Sequence, residues 1–411
     1  MKHLYLINET SRAANYGIGT YIDQLVRTII ADNVKLHVIH LYSVIHKELV
    51  IEFKDGVQYI FIPSNQYQSN IAYKKSLNRY YENAFFLLSS YITQEEEMIF
   101  HFNFMCANKF ADLVKKNFRC KIVLTVHYMN WSFDLLGDTT KLKNILKNPK
   151  TIEERRIRRS VMHEKQFIRK YCDKVIAIAN HSYKTLRDLY LIPEEKIYQV
   201  PNGLEDVFVS LTEAEINSLR LRYGLVPQEK VIIFAGRLDS VKGLSFLLDA
   251  FNKILTKRQD LRLFIAGDGS YNSFLKNVNP NWSKVSFTGF ISKKELYELY
   301  SIADVGVVPS LHEEFGYVAL EMMMMKLPLI VNKTTGLSEI VEDGKAGLTV
   351  NLSSEEDQKE QSVLDLEKKL FELINDKPLR ETLGENGRNR YLDLYEMKHF
   401  RNNMLDYYRG L

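Results

Sequence analysis

The residues from Ala303 to Glu321 read ADVGVVPSLHEEFGYVALE, the pattern of a strand, a loop and the start of a helix. The apolar run Val305–Val308 is typical of a strand in a parallel sheet, because helices cover both faces of such sheets. Glu313 then lies in the loop, and Glu321 lies one turn into the following helix. Two carboxylates at this spacing can face one ligand and accept hydrogen bonds from sugar and ribose hydroxyls. The stretch therefore predicts an α/β fold with a ligand site at the end of a strand.

The same alternation of strands and helices extends over both halves of the chain. In the C-terminal half, which contains Ala303–Glu321, strands are predicted at Val231–Ala235, Leu261–Ala266, Lys284–Thr288, Val305–Val308 and Leu329–Val331. Nearer the N-terminus, strands are predicted at Leu4–Ile7, Lys35–Tyr42, Gln58–Ile62, Met98–Phe102, Lys121–Val126 and Lys174–Ile178. The longest helical patterns are Thr20–Ala31, Ile71–Ile92, Thr151–Tyr171 and Leu379–Leu411. Two series of apolar strands separated by helices indicate two doubly wound, Rossmann-like domains.

A chain of 411 residues is too long for one ordinary core and suggests two domains. The turn-rich stretch from Val200 to Pro227 marks the connection between them. We expect an N-terminal domain over residues 1–205, a C-terminal domain over 206–390, and a last helix over 391–411 that crosses back to the first domain. Doubly wound sheets bind ligands at the carboxyl ends of their strands, so we expect the site in a cleft between two facing domains.

The composition excludes several classes of protein. A formal net charge of +4 with 26% charged residues gives no case for a nucleic-acid partner. Three scattered cysteines exclude a disulfide framework and a zinc cluster. The apolar run at the N-terminus is too short for a signal peptide, and no other apolar stretch is long enough to span a membrane. We therefore expect a cytoplasmic protein, with peripheral contact to the inner membrane surface left open.

A second motif, from Gly236 to Gly243, reads GRLDSVKG and joins a predicted strand to a helix. Arg237 offers a planar fork of donors and Lys242 a compact charge, and together they suit a diphosphate. Surface cations beside an ordinary turn are an equally good interpretation of these residues alone.

The turn Phe315–Tyr317 reads FGY and leads into the helix that carries Glu321. Its glycine permits close approach of the backbone, and free amides at a helix start bind phosphate. Glu313 and Glu314 have a second interpretation, as acids that are favourable at a helix start. For an isolated pair of glutamates this second interpretation is preferred, so the other motifs decide.

Together these motifs resemble the retaining GT-B glycosyltransferases of family four, the glycosyl transferases group 1. Gly236–Gly243 matches the phosphate-gripping motif of that family, and Glu313 to Glu321 matches its paired glutamates. Ala177–Ser182 is similar to the strand and turn before the interdomain linker, and Val200–Leu204 is similar to the linker itself. The elements occur in the family's order over nearly the whole chain, which makes the resemblance far more specific than any single motif.

The resemblance implies a role for each residue of the donor site. Arg237 and Lys242 would neutralise the leaving diphosphate, while Glu313 would contact the donor sugar. Glu321 would bind the nucleotide ribose. The remaining donor contacts would come from Phe290, Phe315, Gly316 and Tyr317.

The resemblance also implies the substrate and the absence of a metal. The family uses no metal, and the sequence has no Asp-x-Asp motif. The two cations would therefore take the part of a divalent ion. The implied substrate is a UDP- or GDP-linked sugar, without a further cofactor.

Two positions depart from the family pattern. Lys326 stands where the family usually has glycine, and Thr335–Glu339 keeps one of two customary glycines. We expect these changes to reshape the loop over the donor without removing its charges. They leave the identity of the donor sugar open.

The N-terminal domain contributes a glycine-containing segment between its first strand and its first helix. Gly17 and Gly19 in this segment permit a tight loop with exposed amides. A lone Gly-x-Gly is weak evidence, and a dinucleotide-binding motif would need a third glycine and a later acidic residue. The resemblance makes this segment a flexible loop that contacts the donor.

Two strand ends of the same domain carry histidines. His127 follows the predicted strand Lys121–Val126, where the family has a histidine that contacts the donor sugar; a buried, hydrogen-bonded histidine is the alternative. His101 and Asn103 end the preceding strand. They are candidates for the acceptor pocket, and packing at the core edge is an equally good interpretation.

Lys141–Tyr171 is a basic segment with eleven Lys or Arg against three Glu. Arg155, Arg156, Arg158 and Arg159 lie close together on one predicted helix. A solvated helix face is the preferred explanation. Attraction to anionic lipid headgroups or to an acceptor diphosphate is the alternative.

The predicted function is transfer of a hexose from a nucleoside-diphosphate sugar to a hydroxyl of a glycan, a lipid-linked sugar or a peptide, as in polysaccharide biosynthesis. No carboxylate in the N-terminal motifs is suited to form a covalent intermediate, so a front-face retaining transfer is the preferred mechanism. The alternatives are an epimerase of nucleotide sugars and a catalytically silent partner of another glycosyltransferase. Retention of Arg237, Lys242, Glu313 and Glu321 favours the active transferase.

Overall fold

A computed structural model describes residues 2–9, 17–30, 34–64, 73–105 and 107–411 of the chain. The chain divides into two compact units, one formed by Met1–Gly203 with Met397–Leu411 and the other by Leu204–Glu396. Each unit has its own sheet and helices. No helix in the described ranges combines the length and the apolar composition that a bilayer crossing needs.

Within the described residues, the first unit is built on an eight-stranded sheet. Its strands are β1 Lys2–Glu9, β2 Val34–Ser43, β3 Val50–Lys54, β4 Val57–Pro63, β5 Glu97–Phe102, β6 Lys121–Val126, β7 Lys174–Ala177 and β8 Ile197–Gln199. They lie in the order β3-β4-β2-β1-β5-β6-β7-β8, and the pairs are parallel apart from β3 with β4. The order runs outward in two directions from β1 and β5, so the sheet has a switch point between these strands.

The helices of the first unit are α1 Gly17–Ile30, α2 Tyr73–Ser89, α3 Asn108–Asn117, α4 Asn130–Asp134, α5 Thr139–Lys147, α6 Ile152–Tyr171, α7 Asn180–Lys184 and, from the end of the chain, α16 Met397–Arg409. Helix α6 begins at a capping box in which Thr151 and Glu154 each accept a backbone amide of the other. Its buried face joins the core of this unit through Ile157, Val161 and Phe167.

In the second unit, which is described throughout, six strands form one parallel sheet. The strands are β9 Lys230–Ala235, β10 Leu261–Ala266, β11 Val285–Gly289, β12 Val305–Val308, β13 Leu329–Asn332 and β14 Leu348–Val350. Their order is β11-β10-β9-β12-β13-β14, so this sheet has its switch point between β9 and β12. The helices are α8 Glu213–Arg222, α9 Leu244–Leu255, α10 Tyr271–Val278, α11 Lys293–Ile302, α12 Tyr317–Met324, α13 Thr335–Ile340, α14 Glu356–Asn375 and α15 Lys377–Leu394.

The predicted fold class, two doubly wound α/β sheets, is confirmed. The predicted strand Lys121–Val126 coincides with β6, whereas β3, β8 and β14 are not predicted from the sequence. Strands β3 and β4 form an antiparallel hairpin closed by Asp55 and Gly56, at φ 52° and 78°. Two consecutive left-handed residues are what a type I′ turn requires, and Asp-Gly favours it, so this hairpin has a local signal in the sequence.

Helix α1 begins earlier than predicted, which corrects the expected glycine loop. Gly17 and Gly19 belong to the first turn of this helix. Asn15 and Tyr16, which complete the motif, lie outside the described residues. The amides of a first helical turn have no acceptor within the helix, so they keep the capacity to bind a ligand that the loop was expected to supply.

The helical pattern at Leu379–Leu411 is divided between two helices. Helix α15 ends at Leu394, and α16 begins at Met397 and belongs to the first unit. There the ammonium group of Lys2 donates to the carbonyl oxygen of Tyr408 at 2.6 Å. Strand β1 and helix α16 therefore belong to the same unit and are in direct contact.

Candidate functional site

The carboxyl ends of β9 and β12 bring two of the sequence motifs together in the second unit. These strands are neighbours at the switch point, with Ile232 beside Val305. The segment after β9 carries Arg237 and Lys242, and the loop after β12 carries Glu313. A switch point opens a crevice at the carboxyl ends of its strands, where such sheets bind their ligands.

A glycine allows these two segments to touch. Residues Ser240–Lys242 form a short 3-10 turn, and Gly243 follows in the left-handed conformation with φ 67°. A Cβ atom at Gly243 would lie 2.0 Å from the carbonyl oxygen of Pro309, so any side chain would separate the segments. The amide of Leu311 donates to the carbonyl oxygen of Val241 at 2.7 Å.

Lys242 and Glu313 form an ion pair between the two segments. Nζ of Lys242 lies 2.6 Å from Oε1 of Glu313, and the hydroxyl of Ser310 donates to the same oxygen at 2.9 Å. The two charged side chains are only 19% and 16% exposed, so water screens their attraction less than that of a surface pair. Arg237 is more exposed and pairs with Asp239 at 3.2 Å. Each predicted phosphate-binding cation is therefore held by a carboxylate.

The start of α13 fixes the loop that carries Glu313. The carbonyl oxygen of Glu313 accepts from the amide of Gly336 at 2.9 Å and from the hydroxyl of Thr335 at 2.6 Å. A Cβ atom at Gly336 would lie 2.7 Å from the backbone of Glu314. The glycine that Thr335–Glu339 keeps is therefore the one that this contact requires.

Glu321 is a buried carboxylate with one oxygen in an ion pair. Its side chain is 2% exposed, and Oε1 contacts the ammonium group of Lys293, the first residue of α11. Oε2 accepts no hydrogen bond from any described residue. A buried oxygen without a donor is costly, so this atom is suited to accept a hydroxyl of a ligand. No motif in the sequence identifies Lys293, whose partner is 28 positions further on.

The other predicted donor residues surround the start of α12 and the end of β11. Gly316 caps α12 at φ 106°, so the amides that follow it lie at a helix N-terminus. The ring of Phe315 is buried and lies edge-on to the rings of Tyr317 and Tyr395, so it stabilises the turn. Phe290 follows β11 and is 65% exposed, which leaves its ring accessible to a ligand.

Lys326, where the family usually has glycine, has φ 58°. This left-handed conformation costs about 1 kcal/mol for a residue with a side chain, whereas glycine adopts it freely. Its ammonium group is 2.7 Å from Oε2 of Glu385. Lys326 follows α12 at the end opposite to Gly316, and this position does not support the expectation that it reshapes the donor loop.

In the first unit, His101 is fully buried and both of its ring nitrogens are engaged. Nδ1 lies 2.5 Å from the hydroxyl of Tyr408, and Nε2 lies 2.7 Å from the hydroxyl of Thr125. Burial lowers the pKa of His101 to about 3, so the ring is neutral. These contacts favour packing at the core edge, one of the two interpretations, over contact with an acceptor.

His127 and Asn103 form a hydrogen-bonded row across the ends of three neighbouring strands. Nε2 of His127 lies 3.1 Å from Oδ1 of Asn103, and Nδ2 of Asn103 donates to Oδ1 of Asn8 at 2.8 Å. Burial lowers the pKa of His127 to about 3, so its ring is neutral and Nε2 carries the proton donated to Asn103. Nδ1 is then a hydrogen-bond acceptor, which suits a sugar hydroxyl better than a phosphate.

The basic segment Lys141–Tyr171 contains α5 and α6, with its cations on the outside. Ile157 and Val161 are buried, whereas Arg158 and Arg159 are exposed on the opposite face of α6. This is the amphipathic pattern of a solvated helix face, the preferred interpretation of the sequence. Binding of an anionic lipid or acceptor stays a prediction.

Comparisons with known proteins match both halves of the chain. Residues 216–390 match the glycosyl transferases group 1, and residues 16–208 match glycosyltransferase family 4. An uncharacterized glycosyltransferase of Methanocaldococcus jannaschii is 31% identical over 243 residues, which cover 55% of this chain and 61% of the relative. The alpha-D-kanosaminyltransferase of Streptomyces kanamyceticus is 27% identical over 217 residues, which cover 52% of this chain and 54% of the relative. The chain thus spans little more than half the length of these relatives.

Solved structures match the whole chain at low sequence identity. The sucrose-phosphate synthase of Thermosynechococcus elongatus has a TM-score of 0.77 at 20% identity, over 100% of this chain and 99% of that chain. HepE of Anabaena in complex with UDP has a TM-score of 0.73 at 15% identity, over 100% of both chains. At these identities the likeness shows a shared fold.

Proposed function

We propose that this chain, which belongs to the family 4 glycosyltransferases of group 1 with the GT-B fold, moves a hexose from a nucleoside-diphosphate sugar to a hydroxyl acceptor. The observation that carries the proposal is the Lys242–Glu313 pair at the switch point of the second sheet, with Arg237 on the same segment. Cations at this place suit a diphosphate, and a carboxylate suits the hydroxyls of a sugar.

The diphosphate of the donor is assigned to Arg237 and Lys242. Both cations are paired with carboxylates, so binding exchanges a carboxylate oxygen for a phosphate oxygen on each of them. The cations then stabilise the negative charge that develops on the leaving diphosphate, a role that a divalent ion has in other enzymes. Metal independence is part of the proposal.

The nucleoside is assigned to the segments beside α12. Oε2 of Glu321 is buried without a donor, which supports a hydrogen bond from a ribose hydroxyl. The amides after Gly316 suit a phosphate oxygen, and the exposed ring of Phe290 suits a nucleobase. HepE was solved with UDP bound, which makes UDP the first nucleotide to test.

The proposed reaction retains the anomeric configuration of the donor. The bond between the anomeric carbon and the diphosphate oxygen breaks, and its electron pair stays on the diphosphate. The acceptor hydroxyl attacks the anomeric carbon from the same face, and a diphosphate oxygen takes the hydroxyl proton. This front-face route needs no covalent intermediate with the protein.

The acceptor is assigned to the first unit and carries a free hydroxyl on a glycan, a lipid-linked sugar or a peptide. The neutral His127, with Nδ1 as a hydrogen-bond acceptor, supports the contact with a hydroxyl of the donor sugar that the sequence predicts. A role in polysaccharide assembly, in the cytoplasm or at the inner membrane surface, is part of the proposal.

The test combines panels of donors and acceptors. Purified protein is incubated in EDTA with UDP- and GDP-linked hexoses, with and without methyl glycosides, and the products are analysed by NMR. We expect transfer of one hexose with the donor's anomeric configuration. An inverted product contradicts retention, and loss of activity in EDTA contradicts metal independence. An altered sugar nucleotide without acceptor indicates an epimerase, and nucleotide binding without any product indicates a silent partner.

A further inference from the structure

A cavity of about 150 Å³ lies at the switch point of the first sheet. Asn8 and Glu9, at the end of β1, line it together with Asn103 after β5 and Asp23 on α1. This is the position in a doubly wound sheet at which a ligand is expected. The sequence motifs include Asn103 in a predicted acceptor pocket but do not single out the other three residues.

Asn8 contributes a buried hydrogen-bond donor that has no partner. Its side chain is 3% exposed, and Oδ1 accepts from Nδ2 of Asn103 at 2.8 Å. Nδ2 of Asn8 donates to no described residue, although it is buried. A buried amide in this state carries an unfavourable desolvation energy, which an oxygen atom of a ligand in the cavity would offset.

The same cavity presents acidic acceptors and no cation among its described lining residues. Oε1 of Glu9 accepts from the hydroxyl of Tyr81 at 3.0 Å, and Asp23 is exposed on α1. Arg27, one turn along α1, is close enough to act on Asp23 but does not line the cavity. At pH 8, above the pKa of about 7 to which burial raises Glu9, both carboxylates are ionised, so they accept hydrogen bonds from hydroxyls and repel a second anion.

The remaining lining residues that the structure describes are neutral. His40 is one of them, and burial, reinforced by the charge of nearby His46, lowers the pKa of His40 to about 4. The imidazole is therefore uncharged at neutral pH and does not offset the carboxylates. Ile22 and Phe104 add apolar surface of the kind that contacts the carbon-bound hydrogens of a sugar ring.

We propose that this cavity binds an uncharged, hydroxyl-rich sugar residue of the acceptor and rejects an anionic one, a specificity that rests on the proposed glycosyl transfer. Nδ2 of Asn8 donates to an oxygen of that residue, and the carboxylates of Glu9 and Asp23 accept from its hydroxyls. The acceptor is then a neutral glycan at this position, and any phosphate or carboxylate that it carries lies outside the cavity.

The experiment compares pairs of ligands that differ in one group. Binding of methyl hexopyranosides with gluco, galacto and manno configuration is measured against the corresponding methyl hexuronides by saturation-transfer NMR and calorimetry at pH 8. Each pair exchanges a hydroxymethyl group for a carboxylate. For the full wild-type chain, at least one neutral glycoside is expected to bind about tenfold more tightly than its uronide.

Variants connect this preference to the cavity. The double variant Glu9→Gln/Asp23→Asn is expected to bind the neutral glycoside more weakly and the uronide more tightly, so that the preference for the neutral glycoside falls about tenfold. Asn8→Ala is expected to weaken the neutral glycoside alone. Glu97→Gln is the matched control. Glu97 is an exposed carboxylate at the start of β5, so it lies at the amino ends of the strands, away from the cavity, and its substitution should leave the binding of both glycosides unchanged.

Three results would overturn the proposal: no neutral glycoside binds, the uronide binds as tightly, or the double variant keeps the wild-type preference. Thermal unfolding and UDP binding show whether each variant is folded. UDP binding and donor turnover also separate this proposal from the proposed function. Transfer to an anionic sugar with full activity contradicts only the specificity, whereas selective sugar binding without any use of nucleotide sugars contradicts only the transferase.

Discussion

Nζ of Lys242 lies 2.6 Å from Oε1 of Glu313, and both side chains are largely buried. The pair joins the segment after β9 to the loop after β12 and keeps the ammonium group in place. A diphosphate that binds to Lys242 has to compete with Glu313 for the same cation. This competition makes the effects of substituting the two residues differ in sign.

Glu313→Gln is expected to bind UDP or GDP more tightly and to transfer sugar more slowly. The amide removes the carboxylate that competes for Lys242, so nucleotide affinity rises severalfold, on the order of 1 kcal/mol. It also removes the ionised acceptor for a sugar hydroxyl, so kcat falls at least about tenfold. Calorimetry and initial rates measure the two effects. Glu342→Gln, in an exposed pair with Lys345, is the control, and weaker nucleotide binding by Glu313→Gln contradicts the competition.

Lys242→Met is expected to weaken nucleoside-diphosphate binding about tenfold to a hundredfold, because a charge-assisted contact to phosphate is lost. Combined with Glu313→Gln, the loss should exceed the sum of the single effects, because Glu313 has no cation to compete for once Lys242 is replaced, and its removal then gives no gain in affinity. A calorimetric double-mutant cycle measures this coupling. Additive effects of the two substitutions would mean that the ion pair has no part in nucleotide binding.

Lys293→Met is expected to destabilise the protein by about 1–3 kcal/mol, because it leaves the carboxylate of Glu321 buried without its cation. The lower part of this range allows for the 57% exposure of Lys293. Lys345→Met removes a cation from the exposed pair with Glu342 and should cost less than about 0.5 kcal/mol. Thermal unfolding of both variants gives the comparison. Equal shifts in Tm would show that Glu321 does not depend on Lys293.

The effect of a substitution at Lys326 on stability should depend on the backbone conformation of this residue rather than on its charge. Lys326→Gly relieves the left-handed strain at φ 58°. It loses an exposed ion pair with Glu385 and the contact of the ammonium group with the ring of Phe208 at 5.5 Å, so it should be neutral or stabilising by up to about 1 kcal/mol. Lys326→Val places a branched side chain at positive φ and should cost about 1–2 kcal/mol. Thermal unfolding measures both. Glu385→Gln isolates the ion pair, and a glycine variant less stable than the valine variant contradicts the strain.

Glu9 should make the protein less stable as the pH rises, which is the opposite of what an ion-paired carboxylate does. Burial, partly offset by the hydrogen bond from Tyr81, raises its pKa from 4.5 to about 7. Between these values the carboxyl is protonated in the folded state and ionised in the unfolded state, so stability falls as pH rises from 4.5 to 7. Relative to Glu9→Gln, wild type should lose about 1–2 kcal/mol over this window.

Unfolding curves from pH 4.5 to 8 measure this difference for wild type and Glu9→Gln. Above pH 7 the difference should become constant, because both states are then ionised. Glu97→Gln, an exposed carboxylate, should show no such trend. A difference between wild type and Glu9→Gln that is independent of pH would contradict the raised pKa.

The sequence by itself determines the fold class and the strand ends that carry chemistry. Apolar runs separated by helical patterns specify two doubly wound sheets, and Arg237, Lys242 and Glu313 each follow such a run. The local sequence also favours the hairpin at Asp55 and Gly56, because an Asp-Gly pair readily adopts the left-handed backbone conformation of its turn. These features can be predicted because backbone preference and hydrophobic periodicity act over a few residues.

Only the tertiary structure decides which of these side chains meet. Lys242 and Glu313 are 71 positions apart and touch because β9 and β12 are neighbours in the sheet. Asn8 and Asn103 are 95 positions apart and meet because β1 and β5 are neighbours. Lys293, which no motif identifies, contacts Glu321, 28 positions further on. Strand order depends on the apolar surface buried over the whole sheet, so it cannot be predicted from the spacing of residues along the chain.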